Sequence, residues 1–192
     1  MHCLGPIVRL QIQRASLKTG ERPHRSYDPA PLRTVDRLSV APDGVLGAGN
    51  DGAWLVDVHH RAHPATKNED GLHGVSVGFT AHYGAMRERF GERLTLGCAG
   101  ENLIAQTERP LRFEELAGGL AVVTSGGRER VRLRLLEVAR PCRPFTGWAS
   151  GGVVESQVMK EHLQFLNDGM RGFYCLAEGT GIVELGDLVM AL

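Results

Sequence analysis

The sequence predicts a mostly β fold, a barrel-like domain with a few helical insertions. Three observations predict it. Short runs of alternating or apolar character recur along the chain, glycine is abundant at 25 of 192 residues, and only two segments carry a helical pattern. Glycine at this density marks turns, bulges and close backbone approaches, which strand-rich folds need.

Residues 7–13 (IVRLQIQ) alternate apolar and polar side chains and read as a half-exposed strand. Residues 14–34 carry Gly20, Pro23, Pro29 and Pro31 among charges, the composition of an irregular polar loop. A short strand is expected over 35–40, then a Pro42-Asp43-Gly44 turn, a tight glycine loop and an extended run over 54–58. Residues 59–74 are polar and hold three histidines within five positions. Residues 75–79 fit either a short strand or the start of a helix. Thr80 is placed to cap a helix over AHYGAMRERF, with Arg87 and Arg89 in its last turn and Gly91 as its stop. Tyr83, Met86 and Phe90 would share its buried face. A compact turn over 97–100 and strands over 101–105 and 120–124 follow, and Ser125-Gly126-Gly127 is a hairpin turn into the next strand. That strand stops at Arg140-Pro141-Cys142-Arg143-Pro144, because proline fixes φ and removes ladder donors. Beyond this cysteine loop, a helix is expected over 153–166, then strands to the end with a hairpin turn at 184–187.

At 192 residues the chain fits one domain, residues 1–192 with a core from about residue 5 onward. Twenty-two basic residues balance 22 acidic ones, so no long-range field draws in nucleic acid or anionic lipid. No window reaches the ~18 apolar residues of a membrane span. The start, MHCLGPIVRL, does not read as a signal peptide. Four cysteines at 3, 98, 142 and 175 lack any CxxC pairing, which points to reduced thiols and a cytoplasmic setting.

Four constellations bear on chemistry. Cys142 lies between the cations Arg140 and Arg143, and positive charge favours the thiolate that attacks electrophiles and binds soft metals. The alternative is a small cysteine packed in a core. His59, His60 and His63 have the density of a metal site without the HExxH spacing, and they equally fit a loop that bonds an anion or lies in solvent. Gly100-Glu101-Asn102 either offers backbone and side-chain groups to a ligand or caps its own turn. Arg171, between glycines, suits a phosphate or carboxylate, or stands free in a turn. No phosphate-binding P-loop, dinucleotide fingerprint or nucleophile elbow is present.

Six segments in order resemble the MOSC family, the domain at the C-terminal end of molybdenum cofactor sulfurases. They are Asp57-Val58-His59-His60, Gly74-Val75-Ser76-Val77, Gly100-Glu101-Asn102-Leu103, residues 136–142 (LEVARPC), Arg171-Gly172-Phe173-Tyr174 and Gly186-Asp187-Leu188-Val189. Two features depart from the family: Val56 stands where glycine is common, and the 61–72 loop is longer and more polar. The resemblance implies a MOSC-like β-barrel that binds molybdenum cofactor (molybdopterin). Cys142 then matches the family cysteine proposed to carry sulfur or ligate molybdenum. Arg140, Arg143, Arg171 and the Gly100 turn would hold the pterin phosphate. Asp57, His60, Glu101 and Asn102 complete the cofactor site, and His59 is a candidate general acid. The pyridoxal-phosphate domain of the sulfurases has no room in this chain. Some relatives reduce N-hydroxylated compounds, so a reductase or a sulfur-transfer component is expected, with a separate electron-transfer protein as partner. A non-catalytic cofactor or sulfur carrier is the alternative. A zinc hydrolase on the histidine loop and an interaction domain with an inert cysteine stand behind both.

Overall fold

The computed structural model describes residues 1–192. The strands are β1 (His2–Gln13), β2 (Lys18–Thr19), β3 (Ser26–Tyr27), β4 (Leu32–Val35), β5 (Arg37–Ala41), β6 (Gly44–Ala48), β7 (Trp54–Val56), β8 (Val75–Phe79), β9 (Leu103–Ala105), β10 (Leu120–Val123), β11 (Glu129–Val138), β12 (Phe173–Glu178), β13 (Gly181–Glu184) and β14 (Leu188–Ala191). The helices are α1 (Thr80–Phe90), α2 (Arg143–Ala149) and α3 (Ser156–Asn167), with a 3₁₀ turn at Phe113–Leu116.

The main sheet runs β14-β10-β11-β12-β8-β9-β1-β4, and β14 also pairs with β1. That last pairing closes seven strands into a barrel, with β4 added outside the ring through β1. The fold class read from the sequence is therefore the one observed. Closure depends on the chain's two ends: His2 pairs with Ala191 and Pro6 with Leu188. β1 serves three partners in turn, β14, β9 and β4, and shifts register between Cys3 and Gly5 and again between Ile7 and Arg9. Such bulges bend a strand and raise its twist, which lets one strand pass around a barrel corner. Gly5 is needed at the first bend, where φ is +152° and an added Cβ would collide with the Gln106 carbonyl.

β8 and β9 are parallel, and α1 lies between them in the chain. Parallel strands are buried on both faces, and all five residues of β8 (VSVGF) are buried. This settles residues 75–79 as strand. A second sheet, β13-β5-β6-β7, packs on the barrel. Its Leu38, Val40, Val45 and Val183 join the 25-residue barrel core. A smaller core gathers Tyr83 and Met86 of α1, Phe145 and Ala149 of α2, Leu166 of α3, and Leu17 and Tyr27 from the loop region.

Four local expectations are corrected. The first strand begins at His2, because its outer half is held by β14 at the far end of the chain. The 14–34 loop contains the β2–β3 ribbon and β4, and Tyr27 is buried against Phe145 at a ring distance of 5.0 Å. Thr80 is the first helical residue, not the cap; its hydroxyl exchanges hydrogen bonds with the Thr107 backbone. The segment after Cys142 is helical, and Pro144 in its first turn fits a helix start. Gly91 does end α1, with φ at +88°.

Candidate functional site

A cavity of about 300 Å³ opens between the barrel and the loops before β8. It is at the lower end of the roughly 300–1,000 Å³ usual for small-molecule sites. Its wall is mostly polar, with Lys18, Lys67 and Arg171 facing a single acid, Glu101.

The frame behind the wall is a buried hydrogen-bond cluster. The Asp57 carboxylate, fully buried, accepts the Gln13 N–H at 2.6 Å and the Asn102 Nδ2 at 3.2 Å. Its other oxygen accepts the His59 N–H at 2.8 Å and stands 3.1 Å from His59 Nδ1. Asn102 Oδ1 accepts both the N–H and the hydroxyl of Ser76, at 3.0 and 2.9 Å. Asp57 and Asn102 thus spend their capacity on tying β1, β8, β9 and the cavity loop together, and neither lines the cavity. His59 does line it, with Nδ1 on Asp57 and Nε2 left over.

Glu101 is 2% exposed. Its Oε2 accepts the Tyr83 hydroxyl at 2.7 Å, while its Oε1 has no partner. Burial pushes its carboxyl above the usual range, against the hydrogen bond from Tyr83. Gly78 makes room for it, since a Cβ there would sit 2.8 Å from Oε1. Arg171 donates to the carbonyls of Arg140 at 3.0 Å and Ala99 at 3.2 Å, lies 4.4 Å over the Phe145 ring, and keeps Nε unpartnered. Its Nη1 is 4.0 Å from Cys142 Sγ. Cys142 is half-buried at the N-terminus of α2, beside Arg171 rather than on the cavity wall.

The remaining site residues read from the sequence lie elsewhere. Arg140 is 80% exposed and paired with Glu137 at 3.4 Å; only its backbone takes part, by holding Arg171. Arg143 is exposed. His60 Nδ1 accepts the Ala62 N–H and His63 Nδ1 the Ala65 N–H, each closing its own turn. No group of three or more His, Cys, Asp or Glu side chains is arranged to hold a metal ion. Gly100 lines the cavity as expected.

Among the wall residues that escape a sequence reading, four carry titratable groups. His73 bonds Glu137 at 2.9 Å through Nε2 and meets Tyr174 edge-on at 4.9 Å. Tyr27 donates to the Cys98 carbonyl at 2.7 Å, and burial pushes its phenol up. Lys67 donates to Ser16 Oγ at 2.8 Å. Desolvation, then Lys18 and Arg25 nearby, lowers its pKa to about 8. Lys18 completes the cationic face. Lysines in polar loops carry no periodic signal, so nothing in the sequence distinguishes these two.

The chain is of the class of small closed β-barrels, with a cation-rich cavity on one side flanked by a half-buried thiol. Residues 73–190 match the family model described as "MOSC domain", and the chain belongs to that family, which is associated with molybdenum cofactor. The YuaD protein of Bacillus subtilis has the same fold, with a TM-score of 0.53 at 14% identity over 95% of this chain and 96% of that one. YiiM from Geobacillus stearothermophilus aligns with a TM-score of 0.52 at 13% identity, over 100% of this chain and 74% of that one. No curated protein matches the sequence. Lys18, Tyr27, His59 and Lys67 all precede the matched residues.

Proposed function

We propose that this chain binds molybdenum cofactor in the cavity and works as a reductase of N-hydroxylated compounds or a sulfur-transfer component in the cytoplasm. The observation that carries the reading is the pairing of Arg171 with Cys142: a half-buried guanidinium 4.0 Å from a half-buried sulfur, with its own buried Nε and Glu101 Oε1 unpartnered beside a cavity. Unpartnered buried polar atoms are costly unless a ligand satisfies them. These residues fit an anionic pterin, and a soft thiolate suits molybdenum or a persulfide. When bound, the cofactor would supply two-electron redox chemistry.

The chain's own residues bind and orient. Arg171 offers donors to an anion, while the Gly100 N–H is spent on the Gly97 carbonyl and the glycine serves by leaving the wall open. Glu101 Oε1 stands open to a donor group on the pterin. Asp57 accepts from His59 Nδ1, which fixes the tautomer and leaves Nε2 to hand over or take up a proton at the cavity. Electrons would come from a separate protein. A carrier that catalyses nothing is the second reading, favoured by Cys142 lying beside the cavity instead of on its wall.

The test is elemental and pterin analysis of protein from a host that makes the cofactor. Wild type should hold molybdenum near one equivalent, and Cys142→Ser should lose most of it or lose turnover of an N-hydroxylated base. Full retention of both by Cys142→Ser removes the reading. Retained molybdenum without turnover in wild type selects the carrier.

A further inference from the structure

The cavity carries positive charge that no carboxylate of this chain neutralises. Lys18 and Lys67 line it with Arg171. Lys67 Nζ has only the neutral Ser16 hydroxyl, at 2.8 Å, and neither lysine is in an ion pair. Asp57, the nearest buried acid, is consumed by His59, Gln13 and Asn102. Glu101, the one acid on the wall, is pushed toward its neutral form by burial. Two ammonium groups brought together without a counter-charge repel each other, and an anion between them relieves that repulsion.

The lysines and the deeper groups sit at different levels. Lys18 and Lys67 are exposed residues, whereas Glu101 is 2% exposed and Arg171 is anchored to two carbonyls. A cofactor seated on Glu101 and Arg171 leaves the outer lysines for whatever arrives next from solvent. Both lysines precede the residues that match the MOSC domain model, so the chain outside that match supplies this rim.

We infer that Lys18 and Lys67, the second steadied by its hydrogen bond to Ser16 Oγ, form an oxyanion subsite at the cavity mouth that reads a carboxylate or phosphate carried by the substrate. The inference rests on the reading of the cavity as a cofactor site. Its chemistry is shared by the cofactor's own phosphate, and the test separates the two sources. The lysines act by binding the substrate's charged tail; they take no part in electron or proton transfer.

Inorganic phosphate is titrated into cofactor-free protein while the Lys18 and Lys67 side-chain signals are followed by NMR. Both signals should shift along one binding curve, and the Lys67 pKa should climb from about 8 toward the ordinary lysine value of roughly 10.4. Lys18→Gln or Lys67→Gln should weaken phosphate binding about tenfold, the factor for one charge-assisted hydrogen bond. In the second arm, molybdenum content is compared between wild type and the Lys18→Gln/Lys67→Gln double variant, and the two should be equal. Unmoved lysine signals, or unchanged phosphate affinity in the variants, overturn the subsite. So does loss of molybdenum in the double variant alone, which assigns the lysines to the cofactor. Absence of molybdenum from both proteins defeats the cofactor reading instead, and the phosphate arm still decides the subsite.

Discussion

Glu101 and His82 are both sealed from water, and burial moves them in opposite directions. A carboxyl resists ionising where charge is poorly solvated, and an imidazole resists protonation for the same reason. Glu101 is raised, so its replacement by the neutral isostere should be mild. Glu101→Gln keeps an acceptor for the Tyr83 hydroxyl and should change stability by less than about 1 kcal/mol; Glu101→Ala strands that hydroxyl and should cost roughly 1–3 kcal/mol. Urea denaturation of both variants checks this, and equal losses would deny Glu101 a hydrogen-bonding role in the fold. His82 packs between Phe79 and Phe173, shares Nε2 with the Leu111 backbone, and has its pKa lowered from 6.5 to about 4. Between those values the unfolded chain binds a proton that the folded one refuses. Stability from this residue is therefore full above pH 6.5 and is lost as pH falls toward about 4. The loss is on the order of 3 kcal/mol across the window. His82→Gln should flatten that part of the stability–pH curve, measured as the difference from wild type so that shared carboxylates cancel.

Elements were legible where the signal is local and obscure where the partner is distant. The Gly91 stop and the 125–127 turn follow from residues beside them, and the structure has both. The alternation of residues 7–13 marked a strand, but nothing local shows that its start reaches back to His2, because β14 supplies those hydrogen bonds. α2 was hidden for another reason. At seven residues it offers under two turns of periodicity, and its only signal is Pro144 near the start. Cys142 was legible as a special cysteine; its true neighbour, Arg171, is 29 positions away, while the flanking Arg140 and Arg143 turn to solvent. Adjacent charge in sequence was a poor guide: Arg140 is drawn to Glu137, and Arg143 lies exposed in the first turn of α2. The bend of β1 yields a prediction. Gly5→Ala places a Cβ against the Gln106 carbonyl at a φ that side chains rarely adopt, and should cost about 1–3 kcal/mol. Thermal melts read this; an unchanged midpoint would mean that the bulge can slip without cost.

At the scale of the whole molecule, a buried polar cluster joins the barrel to the cavity loop, with the His73–Glu137 hydrogen bond as a second tie, and these set how the protein opens. The barrel core of 25 buried residues is held by long-range strand pairing. The 57–74 loop has no strand between Val56 and Val75 and bears His59, Lys67 and His73. Its ties to the barrel include the Asp57 carboxylate, which bonds Gln13 at the end of β1 and Asn102 before β9, and the Val58 N–H on the Gln13 carbonyl. Segments with few buried apolar contacts open locally at lower free energy than the core. Asp57→Asn removes the charge from two backbone hydrogen bonds and turns one acceptor into a donor facing the Gln13 N–H or the His59 N–H. Amides of residues 57–74 should then exchange with solvent roughly ten- to a hundredfold faster, the effect of ~1.5–3 kcal/mol in a local opening. Amides of β8, β11 and β12, held in the ladder, should keep their wild-type rates. If barrel amides accelerate as much as the loop, the loop is no separate unit and Asp57 secures the whole fold. If neither changes, the cavity wall is held by its remaining backbone bonds, and His59 needs no carboxylate to stay in place.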